Sequence, residues 1–303
     1  MTQAAVAPLL SKPRSLNTTR EVHPPALRAN TLSMMHELHL LLMTEVRRIC
    51  KKHDIPFFLI GGTLLGAVRH KGFIPWDDDA DIGMFREDHD RFLAACKTEL
   101  DHNKFFLQTL HTDKGYGLPF AKLQLKNTKF VERNAAGTTA SKGIFVDIFP
   151  FDNVPEDKAL REKQDRRTYV LKRLLLAKLG YQTWNSSQPL KRLIYKLMTL
   201  YTKLRSRENM IAKLEKEMKR HNGTRTEHVV VIGGSYGYQK ETIRRDWFNQ
   251  TIDMDFEGEA FPVPAAYVPY LEHLYGDYMT PPPVSKRGNR HDILQIDFGG
   301  WRH

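Results

Sequence analysis

Ile60-Gly61-Gly62-Thr63-Leu64-Leu65-Gly66-Ala67-Val68-Arg69, followed shortly by Pro75-Trp76-Asp77-Asp78-Asp79-Ala80-Asp81-Ile82, is the stretch on which the reading of this chain turns. Its first half joins a short apolar run, Phe57 to Ile60, to a helix-like segment through two adjacent glycines. Such a turn lets the backbone bend tightly and approach a ligand, while the first N–H groups of the helix point at whatever lies there. Thr63 is placed to cap that helix or to give its hydroxyl to a phosphate oxygen. In the second half, a strand beginning near Ala80 would send Asp79 and Asp81 to one face, roughly 7 Å apart. Two carboxylates about 5 Å apart repel by roughly 3 kcal/mol at an effective dielectric near 20, so their convergence calls for a proton, a basic partner or a metal. Magnesium, or manganese, suits such oxygen ligands and keeps coordination positions for phosphates. The readings without chemistry are a plain strand-to-helix turn and a hydrated acidic loop.

Asp147 extends the pattern. It stands alone within Gly143-Ile144-Phe145-Val146 and Ile148-Phe149-Pro150, a run that reads as a buried strand. An ionised carboxylate costs several kcal/mol there unless a cation or a basic partner neutralises it. Metal ligation and a buried salt bridge both answer that need. Lys122 lies in the strand-like run Leu118 to Leu125, where an ammonium needs an anionic partner such as a phosphate. Arg69 and Lys71 follow the first helix and could meet phosphates or simply face solvent. Trp76 reads as a lid or a core aromatic, and Asp77 and Asp78 as braces of the acidic loop.

The periodicity around these motifs is mixed. A helix is expected over 31–53, with Leu38, Leu42, Val46 and Ile49 on one stripe, and another over 87–100. Strands are expected over 80–85, 105–110, 118–125 and 144–149. Helices over about 157–179 and 189–220 follow from leucines at three- and four-residue spacing, and Val229 to Ile232 reads as a further strand. The division expected is a flexible lead-in over 1–30, a catalytic core over 31–155, a basic helical segment over 156–225 and a C-terminal part over 226–303 that completes the site.

Charge is concentrated in one place. The 303 residues carry 46 Lys and Arg against 35 Asp and Glu, yet 17 basic and 5 acidic residues fall between Arg161 and Arg220, so the remainder is nearly neutral. This segment is either a solvated helix face or a docking surface for an anionic leaflet or polyanion. The two cysteines, Cys50 and Cys96, cannot build a disulfide framework or a Cys-rich zinc site. No apolar run reaches the length of a membrane span and none opens the sequence, which points to the cytoplasm, with any membrane contact peripheral at its inner face.

The residues quoted above, with Gly143 to Asp152, Leu118 to Lys122, Asn127-Thr128 and Tyr275 to Pro282, resemble the LicD family over about 31–291. That family includes bacterial phosphorylcholine transferases and is similar to the fukutin-related ribitol-phosphate transferases. The resemblance implies an α+β, nucleotidyltransferase (polymerase-β-like) fold with a mixed sheet, a basic helical insertion and a C-terminal extension. It assigns Gly61, Gly62 and Thr63 to a phosphate turn and Asp79, Asp81 and Asp147 to a two-metal site. It also suggests a site position for His291, otherwise part of a flexible basic tail, which joins Arg69 and Lys122 as a candidate substrate-binding residue. The implied reaction moves a phospho-alcohol, phosphocholine foremost, from a CDP-linked donor to a hydroxyl of a cell-surface glycan or its lipid-linked precursor, releasing CMP. A choline headgroup would seek aromatic faces, for which Trp184, Tyr236, Tyr238 and Trp247 are available. The zinc cysteines of the fukutin-related branch have no counterpart, so zinc is not expected.

Two other functions compete. The same carboxylate set could transfer a nucleoside monophosphate and release pyrophosphate. Alternatively the basic segment could bind nucleic acid, but its aromatics (Tyr169, Tyr181, Trp184, Tyr195 and Tyr201) are scattered among leucines rather than arrayed for stacking, so no nucleic-acid partner is expected.

Overall fold

The computed structural model describes residues 27–182 and 189–301. Most of the expected lead-in, and Trp184, lie outside the described residues. Along the chain come α1 (Ala29–Lys52), β1 (Phe58–Leu59), α2 (Gly61–His70), β2 (Asp81–Phe85), α3 (Arg86–Glu99), β3 (Phe105–Gln108), β4 (Ala121–Leu125), β5 (Lys129–Glu132), β6 (Phe145–Asn153), α4 (Lys158–Leu179), α5 (Pro189–Lys203), α6 (Arg207–Met218), β7 (His228–Val231), β8 (Thr242–Arg244), β9 (Thr251–Phe256), β10 (Glu259–Pro264), α7 (Tyr267–Tyr275) and β11 (Ile293–Asp297).

The nine residues of β6 are all buried, and the sheet is organised around them. Its first half pairs antiparallel with β4, which pairs in turn with β3. Its middle runs parallel to β2, with β1 beyond. Its last three residues pair with β7, which carries β8. The sheet is therefore mixed, and a strand buried along its whole length reads as a continuous apolar run, which is why Asp147 and Asp152 stand out in it. Asp152 is neutralised by a bidentate pair with Arg86, at 2.8 and 2.7 Å.

Helices α1 and α3 pack on this sheet. The expected stripe of α1, Leu38, Leu42, Val46 and Ile49, is buried in the main core, as are Cys50 and Cys96, whose thiols burial pushes up. Burial of that stripe, about 1.5–3 kcal/mol per large side chain, fixes the helix on the sheet. A second core joins Leu175 of α4 and Met210, Ile211, Leu214 and Met218 of α6 to Val230 and Ile232.

The helix expected over 189–220 is two helices. Ser206 caps a new start by accepting the Asn209 N–H at 3.2 Å, separating α5 from α6. Leucine periodicity runs through the break, so spacing alone conceals it; a Ser N-cap competes with helix continuation. The C-terminal part is tied into the rest of the fold: β7 joins the main sheet, β11 pairs with β5, and the β9–β10 hairpin packs beside β1 and α2.

Candidate functional site

Cross-strand register assembles the site. Asp81 of β2 is the direct partner of Asp147 of β6, and Asp147 is the direct partner of Lys122 of β4. Directly opposed residues on neighbouring strands project to the same face, so two carboxylates and an ammonium stand in a row across three strands. Lys122 Nζ lies 2.8 Å from Asp147 Oδ1, with both side chains almost wholly buried, and 3.1 Å from the centre of the Phe145 ring.

The row opens into a cavity of about 440 Å³. Gly61, Gly62, Asp79, Asp81, Lys122, Asp147 and His291 all line it, so seven of the residues singled out in the sequence meet there. Its walls carry six carboxylates (Asp77, Asp79, Asp81, Glu132, Asp147 and Glu241) against three basic side chains, Lys122, Arg290 and His291. The electrostatic cost is visible at Asp81, Asp77 and Asp147. Burial, followed by the charges of Asp79, Asp147 and Asp77, pushes the Asp81 carboxyl well above its ordinary range. Asp77 rises through burial and Asp79. Burial lifts Asp147 to about 6 even though Lys122 pulls it down.

The glycine pair has a steric explanation. Gly61 adopts φ +56°, in the left-handed region, and a Cβ there would lie 3.1 Å from Asp81 Oδ2. At Gly62 a Cβ would come within 2.7 Å of Asp77 Oδ2. The turn thus admits two acidic side chains against the backbone, and the Gly61 N–H donates to the Tyr270 hydroxyl at 3.2 Å.

Two expected residues stand elsewhere. Thr63 is buried and is not among the cavity walls; its hydroxyl accepts the Asp81 N–H at 2.8 Å, which ties the first turn of α2 to the start of β2. Ile60, with no side-chain cap, stands at the N-cap position instead. Arg69 is also absent from the walls: its Nη1 donates to the Tyr278 carbonyl at 2.7 Å and its Nε to His70 Nε2 at 2.9 Å. Lys71 forms the left-handed end of α2. Trp76 packs on the core with Arg287 4.8 Å from its ring centre, outside the cavity.

The acidic loop divides its labour. Asp78 accepts the backbone N–H groups of Arg290 and His291, at 3.1 and 3.2 Å, and its Oδ1 lies 3.1 Å from His291 Nδ1. This carboxylate clamps the C-terminal segment over the site. Burial alone would lower the His291 imidazole, but the hydrogen bond to Asp78 and the charges of Asp79 and Glu132 push it up to about 10. Among the described residues, ligand-type atoms cluster most closely in Asp78, Asp79 and His291, within 4.8 Å, and in Glu156, Glu227 and His228. Asp81 and Asp147 stand outside the first cluster, in which Nδ1 of His291 is already engaged by Asp78.

Several wall residues escaped the sequence reading. Gly233-Gly234 follows the apolar run Val229 to Ile232 just as Gly61-Gly62 follows Phe57 to Ile60, and all four glycines line the cavity. That repetition was a usable signal. At Gly234 a Cβ would meet Glu241 Oε1 at 2.2 Å, so here too glycine makes room for a carboxylate. Glu132, Asn134 and Arg290 carried no local signal, whereas Tyr275 opens one of the segments that resemble the family.

Of the four aromatics considered for a choline headgroup, Trp184 lies outside the described residues and the other three do not gather. Tyr236 lines the cavity, but Lys240 Nζ lies 5.2 Å from its ring centre and its hydroxyl accepts from Arg290 Nη1 at 3.0 Å. Tyr238 donates to Gln164 Oε1 at 2.7 Å, and Trp247 packs edge-on to His273. Neither Tyr238 nor Trp247 is a cavity wall.

Comparison with known proteins adds to this geometry. Residues 54–179 match the family model described as LicD/FKTN/FKRP, nucleotidyltransferase domain. The lipopolysaccharide cholinephosphotransferase LicD of Haemophilus influenzae is 29% identical over 268 residues, which span 86% of this chain and 96% of that protein. An uncharacterised protein of Rickettsia typhi, RT0683, is 49% identical over 72 residues, covering 22% of this chain and 23% of its own. The human ribitol 5-phosphate transferase FKRP is 53% identical over 34 residues, covering 11% of this chain and 7% of its own.

Proposed function

We propose, from the LicD family domain over residues 54–179 and the likeness to LicD over 86% of the chain, that the protein is a metal-dependent transferase moving a phospho-alcohol, phosphocholine foremost, from a CDP-linked donor to a glycan hydroxyl, with a nucleotidyltransferase fold as its scaffold. The observation that carries the reading is the register that aligns Asp81, Asp147 and Lys122 across adjacent strands inside one cavity.

The residues fit divalent ions. Acidic side chains outnumber basic ones on the walls by six to three, and Asp81 is raised by burial and by the charges of Asp79, Asp147 and Asp77. Asp79, Asp81 and Asp147 would hold magnesium or manganese, two ions by family resemblance, which when bound neutralise charge on the donor diphosphate. The chain's own groups do the rest. Arg290 and Lys122 offer positive charge from the cavity walls, and the open first turn of α2 presents N–H groups beside Gly61 and Gly62. The acceptor hydroxyl oxygen forms the new bond to phosphorus as the bond from phosphorus to the CMP oxygen breaks. Asp147, in the row beside the metal-holding carboxylates, takes the hydroxyl proton. Asp78 keeps His291 and Arg290 closed over the site.

Incubation of the protein with magnesium and a glycan acceptor, with CDP-choline in one arm and CTP in the other, followed by phosphorus NMR, tests this. CMP and a phosphodiester on the glycan are the expected products. Pyrophosphate formed from CTP, with CDP-choline left intact, would instead make the protein a nucleotidyltransferase.

A lipid-linked acceptor requires the protein at a membrane, and α5 supports that part of the reading. No described helix is long and apolar enough to cross a bilayer. Yet Leu190, Leu193, Leu197 and Leu200, with Leu204 beyond the helix end, form an exposed stripe; Leu190 is 68% and Leu204 89% exposed. The helix holds Lys191, Arg192, Lys196 and Lys203 and no acidic residue. Face-to-face packing of two copies would oppose lysine to lysine, whereas an anionic leaflet satisfies both the leucines and the charges. The protein should therefore co-sediment with phosphatidylglycerol vesicles but not phosphatidylcholine vesicles. Replacing Leu193, Leu197 and Leu200 by Ser should weaken that binding roughly a hundredfold. Unchanged binding, or a concentration-dependent dimer abolished by the same substitutions, would refute the membrane role.

A further inference from the structure

A second cavity, of about 300 Å³, shares Leu118, Lys122, Glu132 and Asn134 with the first, so the two meet at the buried lysine. Their charges are opposite. The first has twice as many carboxylates as basic groups, while the walls of the second carry Lys122, Lys142, Lys172 and Arg173 against Glu132 alone. Aromatic and amide side chains (Tyr116, Phe130, Phe145, Tyr181, Gln108 and Gln124) complete it. Its volume is at the lower end of the range for small-molecule sites.

Lys172 is the informative residue. It is contributed by α4, and burial followed by the neighbouring Arg173 pulls its ammonium below the ordinary lysine range. It forms no direct ion pair among the described residues, and the carboxylates of Asp165 and Glu241 act on it only from farther off. Lys142, by contrast, is held by the Thr138 and Ala140 carbonyls, at 2.7 and 3.0 Å. A mostly buried ammonium without a direct ion pair, lining a polar hollow, is an arrangement that an anionic ligand stabilises and a cationic one does not.

We propose that this second cavity binds a phosphate-bearing group of the acceptor, a phosphorylated sugar, and excludes the cationic choline of the donor. The word "acceptor" rests on the transferase reading; the anion site does not. With its phosphate against Lys172 and its ring among the tyrosines and glutamines, such a sugar extends past Lys122 toward the carboxylates. The alcohol end of the donor is confined to the first cavity, where negative charge predominates.

The test is calorimetric titration without divalent cations, using inorganic phosphate, a hexose 6-phosphate and the neutral hexose. The hexose phosphate should bind best, phosphate more weakly and the neutral hexose not measurably. Lys172→Met keeps the apolar stem of the side chain and should raise the Kd for hexose phosphate at least about tenfold, while Lys172→Arg should stay within about threefold of the unsubstituted protein. Exposed Lys216 on α6 serves as control: Lys216→Met should change nothing. Absence of anion binding, equal binding of the neutral sugar, or indifference to Lys172→Met would overturn the proposal. A thermal shift of the unsubstituted protein by CDP-choline with magnesium, measured in parallel, reports on the transferase reading separately.

Discussion

Asp81→Asn should give a folded protein whose transfer rate is down about a thousandfold or more, and whose metal-free form resists urea better than the unsubstituted protein. Both effects come from one fact. Asp81 is buried beside Asp77, Asp79 and Asp147, and burial and those charges hold its carboxyl well above its unfolded value. Between the unfolded and folded values the native state binds more protons than the unfolded state, so stability falls as pH rises through that window. Near pH 7 the ionised cluster is therefore a liability of the metal-free fold. An isosteric amide removes it, for a gain on the order of 1–3 kcal/mol. Magnesium reverses the ranking: it should stabilise the unsubstituted protein, by about 2.7 kcal/mol at a hundred times its Kd, and the variant far less. Urea curves at pH 5 and pH 7, with and without magnesium, separate these terms. Normal turnover by Asp81→Asn, or a magnesium gain equal to that of the unsubstituted protein, would defeat the assignment of Asp81 to the metal.

Why the sequence revealed some of this and hid the rest follows from the range of the forces involved. The Gly-Gly turn, the acidic loop and the lone Asp147 are local violations of pattern, and each is legible because the chain does not place a carboxylate in an apolar strand, or two glycines at a helix start, without a reason. The register of Asp81 with Asp147 and of Asp147 with Lys122 depends on residues 66 and 25 positions apart pairing through the sheet. No local pattern encodes that. Thr63 shows the limit of motif reasoning: a threonine at a helix start has the chemistry for a phosphate, but Asp81 presents it with a backbone N–H. Arg69 is similar, its guanidinium being taken by the Tyr278 carbonyl from a segment more than two hundred residues away. The α5–α6 break was lost because leucine spacing continues across Ser206. The clamp of Asp78 on Arg290 and His291 was invisible because it is a tertiary hydrogen bond to backbone, and backbone groups carry no sequence signature.

Lys122→Met should be the most destabilising single change at the site and should also remove activity. Lys122 is the nearest cation to Asp147, at 2.8 Å, and both side chains are almost fully enclosed. Methionine preserves packing against Phe145 but leaves an uncompensated carboxylate, and breaking a buried pair from one side costs about 3–5 kcal/mol. With the attractive charge gone, burial lifts the Asp147 carboxyl above its present value of about 6. The loss should accordingly be small at pH 5, where the group is protonated in both folded proteins, grow as pH rises from about 6 to the new value, and level off above it. Adding Asp147→Asn to Lys122→Met removes the stranded charge, so the double variant should recover most of the stability and lose the pH dependence while remaining inactive. That non-additivity distinguishes an ion pair from a merely structural lysine, because two independent contributions would sum. If the double variant is as unstable as the sum of the singles, Lys122 stabilises the sheet by packing alone. If Lys122→Met retains full turnover, the row Asp81–Asp147–Lys122 is not the catalytic row, however well the strands align it.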